Sequence, residues 1–173
     1  MKIKEDFSDE RVFDYWHNIV SHIRGNRTML LFAQRQYLYE KFPEFNQIET
    51  IEDTNRPWDY DHIYPLSWVY RNHHINELVR NWVNTIGNYR ALSYDDNRSE
   101  NNRISPKQRL TQDNKQLDSF IQASDLEHWT KLDDGSSKIK QEETEKTNVF
   151  INAVIHRMCN IYEEWYSQYY EHD

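Results

Sequence analysis

Trp58-Asp59-Tyr60-Asp61-His62-Ile63-Tyr64-Pro65 is the stretch on which the reading of this chain turns. It reads as a short extended segment, because Pro65 disfavours helix at the residue before it and a polar, turn-rich run from Ile51 to Pro57 precedes it. Asp61 and His62 stand at its end. Neighbours on an extended chain point to opposite faces, so a single site that uses both requires the backbone to bend there.

Working outward, Asn72 to Asn84 carries Ile75, Leu78, Val79, Trp82 and Val83 at helical spacing and predicts an intervening helix. Asn88 to Leu92 follows as a second short strand. Ser93 with Asp96 three residues later forms a capping box that has aspartate in place of the usual glutamate, so a helix starts there and holds Asn97 one turn inside. Asn101 lies on the same face one turn later, and spacing alone leaves the choice between Asn97 and Asn101 open.

Helices are expected on both sides of this strand, helix, strand, helix unit. Phe13, Trp16, Ile19, Val20 and Ile23 recur at helical spacing up to a Gly25-Asn26 stop, and Thr28 to Phe42 forms a second run ended by Pro43. The two predict a helical hairpin. Downstream, Arg103 to Gln112 reads as irregular and interrupted by Pro106. Short helices near Lys115 to Ala123 and Asp125 to Leu132 precede a loop at Asp133 to Ser137, and the longest helix runs from Glu142 to about Tyr169. The expected fold is therefore α+β and predominantly helical, a single domain over 1–173. Its parts are a helical lead-in (1–55), a small central motif (56–110) and C-terminal helices (111–173).

Composition agrees with a packed domain. Aromatic residues make up 14% of the chain and are spread along it, which supports a core despite a mean hydropathy of -1.05. Cys159 is the sole cysteine, so neither a disulfide framework nor a Cys-x-x-Cys zinc site can form within the chain, and a reducing compartment fits. The first residues lack an apolar signal core and no run reaches the ~18 apolar residues of a membrane span, so a soluble, cytoplasmic protein is expected. The net charge is -8, but residues 56–110 carry 8 basic and 6 acidic side chains while both flanks are acidic. The motif segment alone is positive, which suits a polyanionic substrate.

Three positions in that segment define a chemistry. A carboxylate (Asp61) offers oxygen to a hard cation such as magnesium, and a side-chain carbonyl (Asn97 or Asn101) adds a second such ligand with water filling the rest. Histidine, with an ordinary pKa near ~6.5, removes a proton from water at neutral pH. A cation and a base together meet the needs of phosphodiester hydrolysis: a water-derived nucleophile, neutralised phosphate charge and help for the leaving oxygen.

Tyr60-Asp61-His62-Ile63-Tyr64-Pro65, Gly87-Asn88-Tyr89-Arg90-Ala91-Leu92-Ser93 and Asn97-Arg98-Ser99-Glu100-Asn101-Asn102 resemble the HNH endonuclease motif in its His-Asn-Asn form. They are most similar to the C-terminal nuclease domain of GmrSD-type modification-dependent restriction proteins, and Leu30-Leu31-Phe32-Ala33-Gln34-Arg35 resembles the helix preceding the motif in that group. The step from Asn88 to Asn97 is similar to that of the HNH domain in CRISPR effector nucleases. The resemblance implies a ββα-metal finger that binds Mg2+, or Mn2+ in its place, and cuts DNA. It implies His62 as general base, Asn88 as the residue orienting the His62 ring, and Asp61 and Asn97 as metal ligands. Arg90 and Arg98 flank the motif as candidate phosphate contacts, since guanidinium forks match phosphate oxygens. The resemblance further implies prokaryotic defence against phage or foreign DNA. GmrSD-type proteins carry a nucleotide-binding, modification-sensing half, and this chain holds no phosphate-cradling glycine loop. A partner domain or subunit for nucleotide binding and target sensing is therefore expected. The rival reading is a catalytically inactive HNH-like module that binds nucleic acid or a partner.

Other features have plainer readings. His73 and His74 open an amphipathic helix and lack a carboxylate at ligand spacing. His156 and Cys159 are half a zinc site without a second half, and the cysteine is expected buried. The tryptophans at helical or strand spacing are expected to pack in the core rather than to stack on bases, and the terminal Tyr162, Trp165, Tyr166, Tyr169 and Tyr170 are expected to pack against the first two helices rather than to form an interface with a partner.

Overall fold

A computed structural model describes residues 10–45, 56–70, 75–99, 104–111, 115–132 and 139–170, the side chains of 10–16, 99, 169 and 170 excepted. The described residues are predominantly helical with one two-stranded sheet, the α+β class expected. The order is α1 (Glu10–Ile23), α2 (Arg27–Ala33), α3 (Arg35–Lys41), β1 (Trp58–His62), α4 (Ser67–Tyr70), α5 (Glu77–Trp82), β2 (Tyr89–Ser93), α6 (Tyr94–Ser99), α7 (Pro106–Thr111), α8 (Lys115–Asp118), α9 (Ala123–Thr130) and α10 (Thr144–Tyr170).

The spine is α10. Its Phe150, Ala153, Val154, Met158 and Ile161 are buried and α9, α2, α5 and α1 pack against it, so the longest apolar stripe in the sequence becomes the centre of the core. Tyr162 and Trp165 pack against this core as expected, whereas Tyr166 is exposed and stacks on Tyr162 with ring centroids 5.9 Å apart. Cys159 is buried. His156 approaches Asp125 rather than a cysteine-based site.

The second predicted helix is divided. The run from Thr28 to Phe42 breaks at Gln34, whose side chain is buried and serves β2: its amide oxygen accepts from Ala91 N at 2.8 Å and its nitrogen donates to Ala91 O at 3.2 Å. The carboxamide thus completes the outer edge of β2 as a neighbouring strand would, and the Asp118 carbonyl accepts from the same nitrogen at 2.5 Å. Two further boundaries differ. The helix expected from Asn72 is described only from Glu77, because Asn76 is extended (ψ 134) and caps it through Leu78 N, and Ile75 forms a bridge with Lys140. His73 and His74 lie outside the described residues. The stretch around Pro106, expected to be irregular, is helix α7: Ser105 Oγ accepts from Gln108 N while Gln108 Oε1 accepts from Ser105 N, both at 3.2 Å, a capping box with proline at the first helical position.

Candidate active site

β1 and β2 pair antiparallel with Asp61 opposite Arg90 and His62 opposite Tyr89. The strand runs through His62, and the bend falls at Ile63-Tyr64 immediately after it. The bend expected between Asp61 and His62 is therefore absent: the two side chains leave opposite faces of β1, and each meets different company.

On one face Asp61 Oδ2 accepts from Arg90 Nη2 at 2.8 Å and Nε at 3.1 Å, and from Arg109 Nη1 at 2.6 Å. Both arginines are fully buried and Asp61 is 12% exposed. Arg90, a candidate phosphate contact by sequence, thus spends its guanidinium on Asp61. Arg109 was not legible as part of the site. It arrives on α7, whose capping box at Ser105-Pro106-Lys107-Gln108 is a readable signal for the helix, though not for where its arginine goes.

On the other face His62 Nε2 lies 3.0 Å from Asn84 Oδ1, and the ring packs 4.7 Å from the Tyr89 ring. Asn84 presents Oδ1 to the imidazole and accepts there from Tyr89 Oη at 3.3 Å, while its Nδ2 donates to Tyr70 Oη at 2.8 Å. Nε2 then carries the hydrogen and Nδ1 keeps its lone pair. Burial pushes the His62 pKa below its ordinary 6.5; the Asn84 hydrogen bond and the Asp61 charge oppose this, and the Arg109 charge adds to it. The ring is held neutral at pH 7, the state a general base needs.

Asn88 is fully buried and acts on backbone rather than on the ring. Its Oδ1 accepts from Tyr64 N at 2.8 Å, and its Nδ2 donates to Tyr64 O at 3.1 Å and Val83 O at 2.9 Å, while its own carbonyl accepts from Ile63 N at 2.9 Å. The carboxamide is fully committed to the bend after His62. The side chain in contact with the imidazole is instead Asn84, which the sequence reading did not single out.

The turn carrying Asn88 is held from beneath. Arg157 on α10 donates through Nη1 to the carbonyls of Ile86 (2.8 Å), Gly87 (2.9 Å) and Tyr89 (2.5 Å), and through Nη2 and Nε to Ser119 O (2.7 and 3.2 Å). Burial and the nearby Arg90 charge push its pKa down to about 9, still cationic at neutral pH. Gly87 is required by proximity: a Cβ would lie 2.7 Å from Met158 Cγ and from Val154 Cγ1, and closer still to the Val154 carbonyl oxygen.

Helix α6 packs against both strands. Its start is the predicted capping box: Ser93 Oγ accepts from Asp96 N at 3.1 Å and donates to Asp96 Oδ2 at 2.7 Å. Tyr37 Oη and Lys41 Nζ also reach that carboxylate. Burial tends to raise the Asp96 pKa, but hydrogen bonds from Ser93, Lys41 and Tyr37 outweigh it and the net shift is downward. With the helix anchored, Asn97 is half-buried and its carboxamide makes no hydrogen bond among the described residues, while Arg98 is exposed. Asn101 lies outside the described residues.

No group of three His, Cys, Asp or Glu side chains among the described residues is placed to hold a metal ion. The donors at hand are one carboxylate, with Oδ2 engaged by arginines, and one uncommitted carboxamide. Both are oxygen donors, the type a hard, water-rich cation such as magnesium takes, and neither is the thiolate or imidazole of a closed zinc site.

The two strands, the bend and the following helix thus place the His62 imidazole on one face of β1 and the Asp61 carboxylate on the other, with the Asn88 carboxamide buried at the bend. The sequence model of the GmrSD restriction endonucleases, C-terminal domain, matches residues 2–165, and the chain belongs to that family. It is a restriction-endonuclease-type nuclease domain, a phosphodiester hydrolase whose substrate is DNA. No curated protein and no solved structure matches the chain. No helix among the described residues is long and apolar enough to cross a membrane.

Proposed function

We propose that the domain is a metal-dependent DNA endonuclease of the HNH type, with His62 as general base acting through Nδ1. The observation that carries this reading is the Asn84 contact, which occupies Nε2 and leaves Nδ1, in a ring kept neutral by burial, with no hydrogen-bond partner among the described residues. Asp61 and the uncommitted Asn97 would hold a magnesium or manganese ion, which when bound would supply charge neutralisation at the phosphate and leaving oxygens; for that ion and the His62 base to meet at one phosphate, the bend must move up to the Asp61-His62 pair when metal and DNA bind. Asn88 shapes the bend that follows the base. Arg90 and Arg109 fix the Asp61 carboxylate, and exposed Arg98 is the motif arginine available to phosphate. One site cuts one strand per event, so double-strand breaks require a second copy or repeated nicking. The setting is cytoplasmic restriction of foreign DNA, with a nucleotide-binding partner domain or subunit to find the target.

A plasmid nicking assay in magnesium tests the reading. Wild type converts supercoiled to open-circular plasmid and His62→Ala does not; wild type inert in magnesium and manganese, even with its natural partner, rejects catalysis. One observation favours the rival, a non-catalytic DNA- or partner-binding module: Asp61 Oδ2 is already held by two buried guanidinium groups. Under that reading the Asp61 variants would lose stability without any nicking activity to lose.

A further inference from the structure

The face of the sheet that carries His62 also carries a line of rings and cations that the chemistry above leaves unused. Tyr60 and His62 alternate onto this face of β1, and Tyr89 stands opposite His62 on β2. The Tyr60 and Tyr89 rings lie 6.3 Å apart and Tyr89 lies 4.7 Å from the imidazole, so the rings run continuously away from the candidate base. Two guanidinium groups lie on them. Arg27 Cζ is 4.6 Å from the Tyr60 centroid and 5.7 Å from that of Tyr89, and Arg56 Cζ is 5.0 Å from the Tyr60 centroid.

These cations are distinctive in their surroundings. The chain has 29 acidic against 21 basic side chains, yet neither Arg27 nor Arg56 has a carboxylate partner among the described residues. Arg27 is exposed at the start of α2, and Arg56 is half-buried with Nε donating to Trp58 O at 3.2 Å. The strand carboxylates Asp59 and Asp61 alternate onto the opposite face. Stacking on tyrosine fixes the flat guanidinium groups while leaving N–H edges directed outward, which lowers the entropy lost on gripping an anion.

We infer that Arg27 and Arg56, seated on Tyr60 and Tyr89, form a track for the DNA phosphate backbone leading to His62. The inference rests on the nuclease reading above and adds to it the surface along which the strand lies. Because the guanidinium groups lie over the tyrosine rings, the track contacts phosphates rather than stacked bases, and its contribution is insensitive to sequence.

The test is fluorescence anisotropy of a short labelled duplex with the whole chain in EDTA, titrated with salt, beside plasmid nicking in magnesium. The double variant R27Q/R56Q is expected to bind roughly tenfold more weakly at low salt, and to lower the slope of log affinity against log salt by about 1 per lost phosphate contact, or about 2 in all. The loss should be equal for duplexes of unrelated sequence. R27K/R56K, which keeps both charges, should retain most of the slope and shows whether the positions tolerate substitution. K131Q removes one exposed charge that pairs with Glu127 elsewhere on the molecule, and should leave the slope as in wild type. If wild type nicks plasmid while R27Q/R56Q binds with the wild-type slope, the track is overturned and the nuclease reading stands. If wild type neither binds nor nicks, the nuclease reading falls and the track with it.

Discussion

Replacing Arg157 by methionine tests whether the turn that carries Asn88 is held up by a buried cation. The side chain is fully buried and donates to four carbonyl oxygens, those of Ile86, Gly87, Tyr89 and Ser119. Methionine fills a similar volume and carries no donor, so these acceptors lose their charge-assisted bonds, each worth about 1.5–3 kcal/mol. Against this stands relief from burying a cation, a penalty of several kcal/mol. Because the carbonyls remain and cannot turn to water, the first term wins, and a net loss of about 3–5 kcal/mol is expected, as for breaking a buried pair from one side. With a urea slope of about 2 kcal/mol/M, the unfolding midpoint should fall by roughly 1.5–2.5 M at unchanged slope. Arg157→Lys, with a single point of donation, should fall between. A midpoint for Arg157→Met within about 0.5 M of wild type would mean a net cost below about 1 kcal/mol and would refute the strut.

Gly87→Ala should destabilise by at least as much as an overpacked core position, about 1–3 kcal/mol in thermal or urea unfolding, since the Val154 carbonyl that its Cβ meets is helix backbone and cannot move aside. Asn84→Ala should cut kcat about fivefold to tenfold, the worth of roughly one hydrogen bond, while leaving plasmid affinity intact; an unchanged kcat would remove Asn84 from the role of ring positioner. Since burial lowers the His62 pKa below 6.5, more than half of the base is deprotonated at pH 6.5 and the acid limb of the rate profile should lie below that value. The same shift means the unfolded chain takes up the proton first. The His62 contribution to stability is therefore full above pH 6.5 and is lost as pH falls through the lowered value, which urea midpoints at pH 7.5 and 5.5 would register. Calorimetric titration with Mg2+ should show weakened binding for Asp61→Ala and Asn97→Ala and near-normal binding for His62→Ala; loss in Asn101→Ala instead would move the ligand by one helical turn.

The elements that sequence spacing revealed are those whose causes are local. Pro65 marks the end of the extended stretch, Ser93 and Asp96 form the cap of α6 within one turn of each other, and the apolar stripe of α10 repeats every turn along the residues that bury it. Two local signals were present but outweighed by proline read as a breaker: Ser105 and Gln108 close a capping box around Pro106, so α7 was legible in principle. The break at Gln34 was not, because helix propensity on both sides is intact and the reason for the turn is an amide needed by β2, 57 residues away.

The same division runs through the candidate site. Asp61, His62, Asn88 and Asn97 stand out because a strand, a bend and a helix start dictate their intervals. What positions them comes from a distance that no interval encodes: Arg109 is 48 residues from the carboxylate it grips, Asn84 is 22 residues from the imidazole, and Arg157 is 68 residues from the Tyr89 carbonyl. A residue that supplies chemistry must be of one type at one place in the motif, whereas a residue that fixes geometry need only deliver a donor to the right point from whichever helix passes. Reading the motif therefore reveals what reaction is possible, and only the packing of the surrounding helices and turns reveals what each motif side chain meets and why the turn at Gly87 cannot collapse.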